Sequence, residues 1–250
     1  MESLRTRGIV LRLHRWHETS YIVTWLTSDY GKLKTVAKGA RRPKSLMRGA
    51  LDLFFCDELQ FLRSAKSELH ILQEAAVAEP FARIRADLPA FHAASYFVAL
   101  TDAMTEVDSP VRESYQLLEE FLGALNRGET SIELVYSFEF RLLRALGFGA
   151  RIEKLLLPRG TKALLSHLIE DSSLKLSRLK MSPAQTSQLD GLSRELFSSN
   201  LRQWPTQREL ALTSQSASPS FSSSNHSNEQ PRTTVSSYCN TSPRDYTAAP

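Results

Sequence analysis

The residues best suited to chemistry in this sequence are cations. Val36 to Leu51 reads VAKGARRPKSLMRGAL, with Lys38, Arg41, Arg42, Lys44 and Arg48 and no acid among them. Two glycines and a proline interrupt the stretch, so its charges cannot all sit on one regular helix or strand. Ammonium and guanidinium groups displayed together attract polyanions, above all the phosphates of nucleic acid. The other reactive side chains form no such grouping. There is no glycine loop to cradle phosphates, no GxSxG, no HExxH and no pair of CxxC motifs. No catalytic residue, metal ligand or cofactor is therefore assigned. His14 and His17 in HRWH lack further ligands nearby and read as an exposed polar pair. His92 reads as a satisfied core histidine, and Glu119 with Glu120 as carboxylates on the solvent face of a helix. Cys56, in LDLFFCDEL, reads as a small buried hydrophobe; with Cys239 as its only companion it builds neither a disulfide framework nor a cysteine-rich metal site.

The formal net charge of +4 conceals an uneven distribution. Residues 1–50 hold eleven Lys or Arg against Glu2, Glu18 and Asp29, a balance of +8, which leaves −4 for the other 200 residues. A basic N-terminal module on a mildly acidic body points to a polyanion-binding face at one end. MESLRTRG lacks the apolar core of a signal peptide, and no apolar run approaches membrane-spanning length. The expected location is the cytoplasm, in association with the nucleoid and not with a membrane.

The elements that must position these cations read as β over the first 80 residues. RGIVLRLHR sets Ile9, Leu11 and Leu13 on one face and Arg12 on the other. SYIVTWLTS is rich in β-branched and aromatic residues, DYGK supplies a turn, and LKTVAK alternates Leu33 and Thr35 against Lys34 and Val36. LDLFFCDELQFLR and ELHILQEAAV follow the basic stretch, separated by a polar turn over residues 64–67. Five short strands predict a five-stranded barrel of the oligonucleotide-binding type over residues 1–79.

From Pro80 the period changes to helical, and residues 80–212 read as an α-helical domain, an α+β architecture overall. Phe91, Ala94, Ser95, Val98 and Asp102 share a helical face, with Pro89 as a break or a fresh start. Ser109-Pro110 predicts a helix opening, and Leu118, Leu122 and Leu125 form the stripe of a helix stopped by Gly128. Thr130 with Glu133 predicts a capping box for a helix whose stripe is Leu134, Phe138, Leu142 and Leu146. After Gly149 the pattern is irregular, with Ser182-Pro183 as one more opening. Residues 213–250 carry eleven serines and few aliphatic residues, which predicts a disordered tail.

A single strand of nucleic acid needs cations along its phosphates and aromatic faces for its bases. Arg7, Arg12, Arg15, Lys32, Lys34, Lys38, Arg41, Arg42, Lys44 and Arg48 are the available cations. Trp16, Tyr21, Trp25, Tyr30 and Phe54 are the available rings, about half of which a small barrel must spend on its core. A different class of function fits the same charge: an adaptor whose basic barrel grips an acidic peptide tail without a direct DNA role. A nuclease fits poorly, because only Glu18 and Asp29 precede Asp52 after the first residues.

GIVLRLHRWHETSYIVTWLTSDYGKLKTVAKGARRPKSLMRGAL also resembles the N-terminal barrel of the RecO family of recombination mediators. The correspondence runs in order through Gly8 to Leu11, Glu18 to Ser20, Thr27 to Gly31 and Ala37 to Ser45. ASYFVAL at Ala94 to Leu100 and FEFRLLRALGF at Phe138 to Phe148 resemble that family's helical domain. Many members carry a four-cysteine zinc site after the LGF helix end; here GARIEKLLLPRG has no cysteine, and the serine-rich tail is not a family feature. The resemblance implies a non-enzymatic DNA repair and recombination mediator. Such proteins bind single- and double-stranded DNA, anneal complementary strands without ATP and help load RecA onto DNA covered by single-strand-binding protein. Their partners are RecR and the C-terminal tail of single-strand-binding protein. On this chain the DNA contacts fall to Arg15, Lys34, Lys38, Arg41, Arg42, Lys44 and Arg48.

Overall fold

The computed structural model describes residues 2–109, 111–153, 157–176, 179–201 and 203–216. Its N-terminal part is a closed barrel of β1 (Ser3–Trp16), β2 (Ser20–Thr27), β3 (Gly31–Ala37), β4 (Cys56–Leu62) and β5 (Leu69–Glu79), in the order β1-β2-β3-β5-β4. Every pair is antiparallel except β3 and β5, which run parallel from Lys34 opposite Leu69 to Val36 opposite Ile71. That is the connectivity expected of an oligonucleotide-binding barrel.

Closure depends on β1. Its first half pairs with β4 and its second with β2, and the strand bends at a bulge between Val10 and Arg12. Gly8 lies where all three strands meet; a Cβ there would come within 2.8 Å of the Leu59 side chain. The bulge also changes the expected alternation. Ile9, Val10 and Leu11 are all buried, because Val10 joins the barrel interior while Ile9 and Leu11 pack outward under the helices. Inside the barrel Trp25 is fully buried, and its indole N–H donates to Thr35 Oγ1 at 2.9 Å.

The helices cover the other side of β1. In α1 (Leu88–Met104) the Asp87 carboxylate accepts from Ala90 N at 3.0 Å, and Pro89 sits in the first turn, so this proline starts the helix. Rings of α1, α2 (Arg112–Asn126) and α3 (Ile132–Leu143) meet at the centre: Phe97 stacks on Phe138 at 4.1 Å, and Phe121 is edge-on to both. No helix among the described residues is long and apolar enough to cross a membrane.

Two helix starts differ from expectation. Ser109 does not cap α2, which begins at Arg112 behind Val111 with no side-chain cap; Pro110 of the expected opening lies outside the described residues. Val107 and Asp108 are instead held against β3, where Asp108 N donates to Lys32 O at 2.9 Å, so the chain turns into its helix only afterwards. The cap of α3 is Ser131, accepting from Leu134 N, and not Thr130; Glu133 points inward and accepts from Met181 N. Ser182 does cap α7 (Pro183–Ser198), in a full box with Gln185.

The stretch after Gly149 is more regular than its sequence suggests. It forms the short α4 (Gly149–Glu153) and α6 (Ser173–Leu176), with α5 (Arg159–Glu170) and α8 (Gln207–Ser216) as full helices besides α7. The last of these enters the expected tail as far as Ser216; residues 217–250 of that tail lie outside the described residues. A buried ion pair fixes α8. Arg208 and Glu139 are 2% and 0% exposed and meet at 2.7 Å, with the Tyr96 and Ser193 hydroxyls donating to the same carboxylate. Burial opposes charge on Arg208, but Glu139 beside it holds the guanidinium firmly protonated.

One carboxyl has no such support. Asp57, opposite Gly8 on β4, is fully buried, and neither of its oxygens has a hydrogen-bond partner among the described residues. Burial pushes its pKa up to about 8. The folded chain thus keeps a proton that the unfolded chain releases near pH 4, and stability falls as pH rises from there towards 8. Asp57→Asn is expected to raise Tm at pH 8 by roughly 5 °C, with the gain fading towards pH 4. Circular-dichroism melts across that range check it, and a gain independent of pH would refute the protonated carboxyl.

Candidate nucleic-acid interface

The basic stretch forms the connection from β3 to β4. It is built of successive tight turns, with Arg42 N bonded to Gly39 O, Ser45 N to Arg42 O, Arg48 N to Ser45 O and Ala50 N to Met47 O. Gly39 and Gly49 take φ of +68° and +80°, a backbone region costly for other residues. Ala40, Ala50 and Leu51 are buried against the barrel core and Met47 is half-buried there. These small and apolar residues pin the loop down, so that Lys38, Arg41, Arg42, Lys44 and Arg48 are exposed.

The loop is also tied to the β1–β2 hairpin. Arg41 N donates to Thr19 O at 3.0 Å, its guanidinium donates to Glu18 O at 2.8 Å, and that group lies 5.8 Å from the centre of the Tyr21 ring. Tyr21 pairs across the sheet with Arg15, which brings Arg15 and Arg41 to the same corner. Arg48 reaches back to Pro43 O, and Arg42 lies across Gly39. Among the described residues, no carboxylate comes within 4.0 Å of Arg15, Lys38, Arg41, Arg42, Lys44 or Arg48. Lys34, on the outer face of β3, has only a loose contact with Glu68 at 3.9 Å.

Three of the ten cations available for a phosphate track are used elsewhere. Lys32 is 9% exposed, and its ammonium donates to both the main-chain oxygen and the carboxylate of Asp102, at 2.7 and 3.2 Å. Arg12 closes on the other oxygen of Asp102. Arg7 reaches Glu119 at 3.4 Å. These pairs stitch the barrel to α1 and α2. Asp102 gave a signal that the sequence reading left unused: an aspartate on an apolar helical face needs a cation opposite it.

The other reactive side chains also take structural places. The Cys56 thiol is buried, 3.4 Å from the Tyr115 hydroxyl and 3.6 Å from Arg7; burial pushes its pKa up, against those two neighbours. Glu120 does not face solvent alone but grips Arg141 through both oxygens, at 2.6 and 2.8 Å. His92 is half-buried, and its Nδ1 has no partner among the described residues, so it is not the satisfied histidine expected. His14 and His17 are exposed, as read. Among the described residues no three His, Cys, Asp or Glu side chains come together as a metal ion would require.

Comparison with known proteins agrees with this architecture. Residues 1–81 match the family model Recombination protein O N terminal, and residues 85–154 match Recombination protein O C terminal. The chain belongs to the RecO family. Curated RecO relatives include the DNA repair protein RecO of Syntrophus aciditrophicus, 33% identical over 149 residues, which are 60% of this chain and 58% of that protein. The DNA repair protein RecO of Salinibacter ruber is 32% identical over 152 residues, again 60% and 58% of the two chains. The match thus spans less than two thirds of the length of these RecO proteins.

The Asp102 contacts predict a specific stability pattern. Asp102→Asn leaves Lys32 buried without its counter-charge and is expected to cost about 3 kcal/mol. Replacing both partners with apolar residues, Lys32→Met with Asp102→Leu, is expected to recover most of that loss. Urea unfolding of the three proteins checks the pattern; equal loss in the single and double variants would show that the ion pair is not what joins the seam.

Proposed function

We propose that this chain is a DNA repair and recombination mediator that binds DNA through the β3–β4 loop and the adjoining hairpin. The observation that carries the reading is a group of exposed cations on a loop anchored to a closed barrel, with no carboxylate beside them among the described residues. Arg41, Arg42, Lys44 and Arg48 contact phosphates, with Lys38, Lys34 and Arg15 in support. A basic surface that holds two strands at once lowers their mutual repulsion, which is the physical basis for annealing without ATP. The names of the relatives support a role in DNA repair. In this reading the protein acts in the cytoplasm at the nucleoid, without catalysing a reaction. It works with RecR and the tail of single-strand-binding protein, and helps RecA load onto covered DNA.

Neutralising about five phosphates on a single strand gives a slope of log K against log salt near −3.5. Changing Arg41, Arg42 and Lys44 together to Glu is expected to weaken binding, to flatten that slope by about 2 and to leave the melting curve unchanged. An unchanged slope rejects the phosphate contacts. Annealing of complementary strands coated with single-strand-binding protein, without nucleotide, tests the mediator role; a folded protein that binds DNA yet leaves the strands apart rejects it.

A further inference from the structure

The outer face of β1, β2 and β3 meets the basic loop at the hairpin tip. Strand register aligns Arg12 with Thr24 and Lys34, and His14 with Ile22 and Val36, while Trp16 pairs with Ser20 at the end of the hairpin. Alternate residues of a strand point to opposite faces, and Leu33, Thr35 and Ala37 are buried inside the barrel. Lys34 and Val36 therefore face outward, and the register carries His14 and Trp16 with them.

Trp16 is the anomaly on this face. The residue is 42% exposed and its ring lies edge-on to His17 at 4.8 Å, whereas the other tryptophans are engaged. Trp25 is sealed in the barrel, and Trp204 lies over the Arg208 guanidinium at 4.6 Å. Phe54 is core and Tyr30 packs on Phe61, while Tyr21 sits below Arg41. Of the barrel rings Trp16, Tyr21, Trp25, Tyr30 and Phe54, Trp16 is the one that is open to solvent. Two cations flank the tip from the other face of the hairpin: Arg15, the preceding residue, pairs with Tyr21, and Arg41 lies over Tyr21 and is bonded to the main-chain oxygen of Glu18.

We propose that Trp16 is a stacking site for an unpaired nucleobase, with Arg15 and Arg41 on the adjoining phosphates. This rests on the DNA-binding reading above and names its substrate class. In a duplex each base is covered by its neighbours above and below, so only an unpaired strand can present a face to the indole. The loop cations attract any DNA; Trp16 distinguishes strands with exposed bases.

The test uses the full chain, a dT oligonucleotide of about 20 nucleotides and a fully paired duplex of similar length. Trp16→Ala is expected to weaken dT binding roughly tenfold while changing duplex binding less than about twofold, with the same salt slope on both. Binding of dT should quench intrinsic fluorescence in the parent chain. Trp16→Phe, which keeps a ring, should bind dT almost as well but lose most of the quenching. Equal weakening on both substrates, no weakening, or unchanged quenching in Trp16→Phe overturns the stacking site. If that happens while the loop charge reversals still flatten the salt slope, the phosphate interface stands without it. If the reversals also leave binding untouched, both fail.

Discussion

Asp102 is one carboxylate on one helix, yet it satisfies Lys32 and Arg12 from two strands of the barrel. Lys32 could not stay nearly buried without it, since an uncompensated ammonium in that seam would cost several kcal/mol. Through the Asp108–Lys32 main-chain bond, the same place also holds the α1–α2 connection against β3 and so fixes where it turns into α2. The position of the helices on the barrel, and hence which barrel face stays open, follows from this contact and the apolar packing of Ile9, Leu11 and Phe54 beside it.

The cations thus fall into two groups by environment. Arg7, Arg12 and Lys32 answer Glu119 and Asp102 on the helical side, so most of their charge is met within the protein before a polyanion arrives. Those of the loop are exposed, with no carboxylate near them among the described residues, so a phosphate can meet them without first displacing one of these. A surface of that kind binds by releasing condensed counterions, and its strength is set by salt more than by shape. The aromatic surface at the hairpin tip would add what charge lacks, a preference for bases that are not already stacked.

Much of this was legible in the sequence because the strands are separated by recognisable turns and the loop charges fall in one run. The five strands and the display of Lys38, Arg41, Arg42, Lys44 and Arg48 follow from such local signals. What was illegible is what depends on a distant partner. A strand covered on both sides, as β1 is, hides its alternation, and Arg12 and Lys32 look like free cations until α1 is placed. The start of α2 depends on Asp108 being held by Lys32 of β3, 76 residues earlier in the chain, a contact that the local capping rules at Ser109 cannot anticipate. Helices after Gly149 have weak patterns because their order comes from packing and from Arg208 meeting Glu139.

That last pair has a further consequence for what counts as the smallest foldable unit. The family match ends at residue 154, inside which Glu139 is sealed at 0% exposure, but its counter-charge arrives from residue 208. A fragment trimmed to the matched residues would keep the carboxylate and its Tyr96 donor but lose the guanidinium, leaving the anion without a counter-charge. The electrostatic boundary of the helical part therefore lies in α8, well beyond the point where similarity to relatives fades.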